Sequence, residues 1–161
     1  MSDDVIFVVT IFAAVSSGVL AGLLFAFSSF VMRGLRALPA SQGIVAMQSI
    51  NAAVNNPVFM VAFIGTAVVD LIAVIAAFVR WGEPEAIYLL VGGLLYIVGV
   101  FGMTVVYHQP RNLALARVSP TADDADRTWE RYAADWTTWN HVRTFAGVAA
   151  AVVLSVALTV V

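Results

Sequence analysis

Four long apolar stretches dominate the pattern of hydrophobic and polar positions along the chain. They cover residues 5–32, 57–79 and 86–107, and a fourth stretch ends at residue 161 and begins near residue 137. An α-helix needs ~20 apolar residues to cross the hydrocarbon core of a bilayer. Each stretch is therefore predicted to be a transmembrane helix. Residues 1–161 are predicted to form one membrane domain, an all-α polytopic four-helix bundle.

The composition supports this interpretation. Hydrophobic residues make up 61% and charged residues 11% of the 161 residues, against roughly 45–50% and ~25% in soluble globular domains. A soluble protein of this size cannot cover so many apolar side chains with polar surface. The net charge of −2 gives no sign of nucleic-acid binding. The lack of cysteine excludes disulfides, thiolate metal ligands and a cysteine nucleophile.

The arginines are distributed unevenly between the two predicted membrane faces. Arg33 and Arg36 follow the first stretch, and five more lie between the third stretch and the core of the fourth. Arg80 is the one arginine in the loop between the second and third stretches. Basic residues concentrate in cytoplasmic loops. We therefore expect an integral protein of a bacterial plasma membrane, with the basic loops in the cytoplasm and both termini outside.

Two polar segments connect the predicted spans on the cytoplasmic side. In segment 39–56, Gln48, Asn51 and Asn55 share one narrow face of a predicted short amphipathic helix, which either dips into the membrane or lies on it. Amides facing lipid are costly, so these three are expected to face a wet cavity, the bundle mouth or a partner. A second helix, with Thr121 as its N-cap, is predicted to extend unbroken into the fourth span.

Small residues recur at packing intervals in the spans. Gly18 and Gly22 form a GxxxG pair, Gly92 and Gly99 share a face of the third span, and Gly147 begins a stripe of small residues in the fourth. Such residues let helices approach closely in lipid. They predict either a tight four-helix bundle or the contact surface of a homo-oligomer.

Polar and aromatic side chains gather where the third span ends and the fourth begins. Aromatic rings, amides, imidazoles and guanidiniums at one depth are typical of a small-molecule pocket. For Trp129 and Tyr132, an aromatic belt at the membrane interface is the alternative. The predicted pocket residues are Gln48, Asn51, Asn55, Tyr107, His108, Arg111, Asn112, Trp136, Trp139, Asn140, His141 and Arg143.

The titratable members of this layer have competing interpretations. His141 is the natural general base, because imidazole titrates near neutral pH, or else a contact to lipid headgroups. It lies ~100° around the helix from Asn140, so it is not on the helix face that carries Asn140 and Arg143. His108 is a second base, a metal ligand or a helix-terminal residue. A metal or haem bound by the two histidines would lack thiolates and carboxylates, so no cofactor is expected.

Asp70 lies near the middle of the second span. An intramembrane carboxylate is a candidate functional group, here for a proton relay. The structural alternative is a neutral carboxyl that is hydrogen-bonded to a hydroxyl, for which Ser16, Ser17 and Tyr96 lie at a similar depth.

Two motifs resemble the anthrone oxygenase-like family of small four-helix membrane proteins. They are the block from Trp136 to Thr144, with Trp-Asn-His-Val-Arg at its centre, and Pro110-Arg111-Asn112. The resemblance implies a membrane oxygenase that converts an anthrone or a related lipophilic polycyclic phenol to a quinone with molecular oxygen, without metal or flavin. In that family an asparagine is expected where His108 stands.

The resemblance also suggests roles for individual residues. His141 would remove a proton from the substrate. The resulting oxyanion would be stabilised by Asn112, Asn140 and Arg143, and the alternative for Arg143 is to bind a lipid phosphate. The substrate rings would stack on Trp136 and Trp139. The alternative is a non-enzymatic membrane protein that binds a quinone-like or lipid ligand or acts as an accessory subunit. A transporter is less favoured, since no internal repeat relates the two halves of the chain.

Overall fold

The computed structural model describes residues 2–161, which form five helices joined by short loops. Four of the helices are long and apolar enough to cross a membrane. The helices are α1 (Asp3–Arg36), α2 (Ala40–Ala53), α3 (Pro57–Val79), α4 (Ala86–Leu115) and α5 (Ala125–Ala157). The predicted all-α membrane bundle is confirmed, together with the short helix between the first two spans and the helical extension ahead of the fourth.

Helix α5 packs closely against α1 and α4. A Cβ atom on Gly147 would lie 3.1 Å from the Cβ of Ala21, and one on Gly99 would lie 2.5 Å from the Cβ of Ala146. A Cβ on Gly99 would therefore clash with α5, and a Cβ on Gly147 would leave a tight contact with α1. Tight packing within the bundle is confirmed for these two glycines, whereas a Cβ on Gly22 would have no neighbour within 4 Å.

The two termini and the loop between α3 and α4 lie at the same end of the bundle. Arg80 binds Asp3 with an N–O distance of 2.7 Å and Glu85 with another of 2.7 Å. The hydrogen bond that Arg80 donates to Asp3 raises the pKa of Arg80 above its usual value. Ile6 and Ala157 belong to one apolar cluster near this end. The arginine-rich connections therefore lie together at the opposite end.

Helix α2 covers part of that opposite end. It packs on the extension of α5, where Gly43 lies so close to Trp129 that a Cβ would fall 2.7 Å from the indole ring. The loop after α2 leads directly into α3, because Asn56 Oδ1 accepts a hydrogen bond from Phe59 N at 2.9 Å and Pro57 occupies the first turn. Both residues are favourable at a helix N-terminus.

Helix α4 is longer than the hydropathy pattern predicts. It continues past Tyr107 and Pro110 to Leu115. Wide π-helical turns occupy Leu95–Gly102 and Thr104–His108, and regular α-helix resumes at Gln109. Pro110 thus occupies the first turn of a resumed helical segment, where its missing N–H costs least.

Two other predicted boundaries also change. Helix α1 ends at Arg36 and not at residue 32, and a π-helical turn at Phe27–Val31 precedes its last turn, Met32–Arg36. Helix α5 begins at Ala125 and not after a Thr121 N-cap, because residues 120–124 form turns ahead of it.

Candidate functional site

A cavity of about 520 Å³ lies between α2, α3 and α4. Its volume is in the range of small-molecule sites. The end near α2 is polar, and the end deeper in the bundle is apolar. The polar end is lined by Gln48, Asn51, Asn55, Gln109 and Asn112, and the apolar end by Phe63, Ile64 and Phe101. The cavity therefore suits a flat apolar molecule that carries a polar group at one end.

Three phenylalanines form the aromatic wall of the cavity. The ring centroids of Phe59 and Phe63 are 5.9 Å apart, and those of Phe63 and Phe101 are 5.3 Å apart, both in stacked arrangements. This wall was not predicted from the sequence, which favoured tryptophans. The i, i+4 spacing of Phe59 and Phe63 was a usable signal, because it places both rings on one face of α3.

The side-chain amide of Asn112 is held in one orientation. Its Oδ1 accepts hydrogen bonds from Trp136 Nε1 at 3.1 Å and from the Tyr132 hydroxyl at 2.8 Å. An indole N–H is only a donor, so the oxygen of the amide must face it. The amide NH₂ group then points elsewhere and makes no hydrogen bond to the described residues, while the side chain lines the cavity.

A second amide, that of Asn51, lies at the polar end of the cavity. The side chain of Asn51 approaches the Tyr132 hydroxyl, yet its Nδ2 atom is buried and has no partner in hydrogen-bond geometry among residues 2–161. Gln48, by contrast, donates to the carbonyls of Leu115 and Val118 at 2.9 and 3.0 Å. The polar end of the cavity is thus lined by the side-chain amides of Asn51 and Asn112, and the NH₂ group of Asn51 is shielded beside the Tyr132 hydroxyl.

Arg143 lies behind the cavity wall. It donates to the Thr104 hydroxyl at 2.9 Å, and Thr104 lines the cavity. It also donates to Asn140 Oδ1 at 2.7 Å and lies over the Trp136 ring at 5.2 Å. Only 5% of the residue is exposed. No carboxylate in the described chain pairs with it, and its Nε atom has no partner there.

Hydroxyls from the π-helical turns complete this buried cluster. Ser28, in the π turn of α1, accepts from Asn140 Nδ2 at 2.8 Å, and the same nitrogen donates to the Leu24 carbonyl at 2.8 Å. Thr104 begins the second π segment of α4. π turns are frequent at functional sites. Here they place the hydroxyls of Ser28 and Thr104 beside Asn140 and Arg143, which form the polar face of α5.

The two histidines lie in different surroundings. His108 is buried, and its ring nitrogens face the carbonyls of Met103 at 3.3 Å and Trp136 at 3.4 Å. His141 is exposed on the outer face of α5. Neither lines the cavity. The structure therefore does not bring His141 together with Asn140 and Arg143, as its angular offset on the helix anticipates.

The remaining predicted pocket residues also lie outside the cavity. Trp136 is buried within the bundle. Trp139 is 40% exposed and packs on Tyr107, with ring centroids 4.9 Å apart. The guanidinium of Arg111 stacks on the Tyr107 ring and donates to the Tyr107 carbonyl at 3.1 Å. Arg111 lines a separate charged groove of about 530 Å³ at the surface.

Asp70 is fully buried away from the cavity. Its Oδ2 accepts a hydrogen bond from Ser17 at 3.1 Å, while its Oδ1 has no partner among the described residues. The hydroxyl contact expected from the sequence is therefore made by Ser17. Among residues 2–161, no three His, Asp or Glu side chains cluster in a way that could hold a metal ion.

Comparison with known proteins links the chain to one family. The family model described as "Anthrone oxygenase" matches residues 59–153. This range includes the aromatic wall, Asn112 and the polar face of α5. No curated protein and no solved structure matches the chain.

Proposed function

We propose, because the chain belongs to the anthrone oxygenase family, that it is a membrane oxygenase for lipophilic polycyclic phenols of the anthrone type. The substrate binds in the cavity between α2, α3 and α4, at the membrane face that we assign to the cytoplasm. The observation that carries this proposal is the pair of amide side chains, from Asn51 and Asn112, that line the cavity beside a wall of phenylalanines.

The reaction needs little more than stabilisation of an anion. The methylene of an anthrone, acidified by its carbonyl and two aryl rings, loses a proton to give an enolate. The enolate carbon bonds to molecular oxygen, and protonation gives a hydroperoxide. Loss of water, with cleavage of the O–O bond and of the remaining C–H bond, leaves the second carbonyl of the quinone. Molecular oxygen supplies the oxidising equivalents, and one of its atoms stays in the product.

The cavity residues are suited to stabilising the negative charge that develops on the substrate in the first step. The amides of Asn51 and Asn112 would donate to the enolate oxygen, which accepts hydrogen bonds more strongly than the ground-state carbonyl. The uncompensated positive charge of Arg143 lies directly behind Thr104 and favours an anion in the cavity. The phenylalanine rings would hold the flat aromatic system by stacking.

The residues that line the cavity determine which group can accept the proton of the substrate. None of the described residues that line it is an acid or a base. Stabilising the enolate lowers the barrier to losing the proton, which would pass to water at the polar end near Gln109. His141, the base expected from the sequence, would have to act from outside the cavity.

Oxygen consumption and quinone absorbance test the proposal. The purified protein in mild detergent is mixed with anthrone, and the Asn112→Leu variant is expected to lose about 100-fold in kcat, the effect of removing one oxyanion donor. Gln42→Leu, an exposed amide of α2 outside the cavity, is the control and should keep the full rate. Equal rates for wild type, Asn112→Leu and the uncatalysed reaction would contradict the proposal.

The absence of a resident base among the described lining residues favours one second candidate, a binding protein for quinone-like molecules. Such a protein would bind anthraquinone through the same amides without accelerating anthrone oxidation. Tight binding without turnover would establish this function instead.

A further inference from the structure

The apolar side of the cavity opens towards the region that lipid occupies. Ile64 on α3 and Val105 and Leu113 on α4 all line the cavity. Their exposed fractions are 45%, 44% and 57%. Residues in the spans that are both exposed and apolar face the hydrocarbon interior or its boundary. We call these three residues the lateral rim.

The rim exists because α3 and α4 diverge. Helix α3 packs against residues 86–102 of α4 but separates from the part of α4 that follows Met103. Helix α2 lies across the end of this gap and contributes Gln48 and Asn51 to the cavity. The gap between the two helices is therefore open sideways and covered at one end.

Towards the charged groove, the cavity is bounded by side chains that bind one another. Tyr132 lines the groove, Asn112 lines the cavity, and the two side chains are joined by their hydrogen bond of 2.8 Å. Gln48 closes the same side through its bonds to the carbonyls of Leu115 and Val118. The arginines and aspartates of the groove are thus kept apart from the aromatic wall.

We infer that the substrate reaches the cavity sideways from the bilayer, through the gap between α3 and α4 at the lateral rim. This inference rests on the proposed function and narrows its substrate class to amphipathic polycyclic molecules that dissolve in the membrane. The oxygen-bearing end of the molecule meets Asn51 and Asn112 near the interface. Its apolar rings lie deeper in the bundle, against Phe63 and Phe101.

The route is tested with protein in phosphatidylcholine vesicles and two probes, anthrone and a water-soluble sulfonated anthrone. At a fixed total amount of anthrone, added lipid dilutes the probe within the membrane. The rate should therefore fall in inverse proportion to the lipid added, and the sulfonated probe should react only at the uncatalysed rate. A rate that is independent of lipid, or turnover of the sulfonated probe, would overturn lateral access.

Variants of the rim provide a matched pair. Val105→Trp should block the gap and lose most of the rate with anthrone. Val106→Trp, the neighbouring residue that is 77% exposed but does not line the cavity, should keep it. Equal rates for the two variants would contradict the inference.

A binding measurement separates failure of the route from failure of the reaction. The chain has no cysteine, so Leu113→Cys and Ala114→Cys each introduce one thiol, at adjacent exposed positions. Leu113 lines the cavity and Ala114 lines the charged groove. Anthraquinone dissolved in the vesicles should slow labelling of Leu113→Cys by a lipophilic maleimide and leave Ala114→Cys unaffected.

The outcomes are distinct. Protection of Leu113→Cys without any oxidation of anthrone would remove the proposed reaction and keep the lateral site. Oxidation without protection at Leu113→Cys would keep the reaction and remove the lateral route.

Discussion

The orientation of one amide decides what the polar end of the cavity offers to a ligand. Asn112 presents its NH₂ group only because Trp136 and Tyr132 donate to its oxygen. With the indole donor removed, the amide is free to rotate and to present its oxygen to the cavity. An oxygen there would repel an enolate, so Trp136 is a positioning residue for Asn112.

The Trp136→Phe variant tests this role, since it keeps an aromatic ring and removes the N–H group. We expect kcat/KM for anthrone to fall about tenfold, the loss of roughly 1.4 kcal/mol of transition-state stabilisation. Binding of anthracene, which has no oxygen, should change little. Trp139→Phe, outside the cavity, serves as the control. A parallel loss of anthracene binding would show that Trp136 acts only through packing.

The role of Asp70 can be tested by replacing its carboxyl group. Asp70→Asn keeps a hydrogen-bond acceptor for Ser17, so the variant should retain the rate of anthrone oxidation and the stability of the wild type. Asp70→Leu removes that acceptor and should lower the free energy of unfolding by about 1 kcal/mol. Chemical denaturation in detergent and an activity assay measure both. If the folded Asp70→Asn variant is inactive, Asp70 has the proton-relay role.

At the level of elements, the position of α2 controls the amide end of the cavity. Helix α2 carries Gln48 and Asn51, and its contact with α5 depends on the close approach of Gly43 to Trp129. Any side chain at residue 43 pushes α2 away from α5 unless the indole moves, and Asn51 would move with it.

We therefore expect Gly43→Ala to destabilise the protein by about 1–3 kcal/mol through overpacking, and to weaken anthraquinone binding. Gly22→Ala is the matched control, because a Cβ there has no neighbour within 4 Å. Thermal unfolding in detergent and a binding titration measure the two effects. A stable Gly43→Ala variant with unchanged binding would show that α2 accommodates the added methyl group.

The helices were largely predictable from the sequence, but the contacts between them were not. The four spans and α2 follow from hydropathy and helical periodicity, which local residues determine. The π-helical turns at Thr104–His108 do not follow from these patterns. Hydrophobic periodicity does not distinguish backbone hydrogen bonds between residues i and i+5 from those between residues i and i+4. The polar face of Asn140 and Arg143 was predicted, but the cavity walls depend on the angle between α3 and α4.

At the scale of the whole molecule, charge separates the two ends of the bundle. Arg80 is the one arginine at the end that holds the termini, and there it binds both Asp3 and Glu85. The other end carries Arg33, Arg36 and the arginines of segment 111–131. On the basis of the positive-inside rule, we propose that the cavity end faces the cytoplasm.

Single cysteines test this orientation, since none is present in the natural chain. In intact bacterial cells, Glu83→Cys should react with a membrane-impermeant maleimide, and Ser119→Cys should react only after permeabilisation. Both positions lie in loops, at opposite ends of the bundle. The reverse labelling pattern would place the cavity end outside.

The buried cluster around Arg143 also bears on how the protein enters the membrane. Helix α5 has a mean hydropathy of 1.3, against 2.3–2.6 for the other spans. An arginine within a span opposes insertion, by about 2.5–3.5 kcal/mol at the bilayer centre and by less towards its ends. The groups that bind Asn140 and Arg143 across helices, Ser28 and Thr104 among them, belong to helices synthesised earlier. Insertion of α5 should therefore depend on α1 and α4 being in place beside the translocon to receive it.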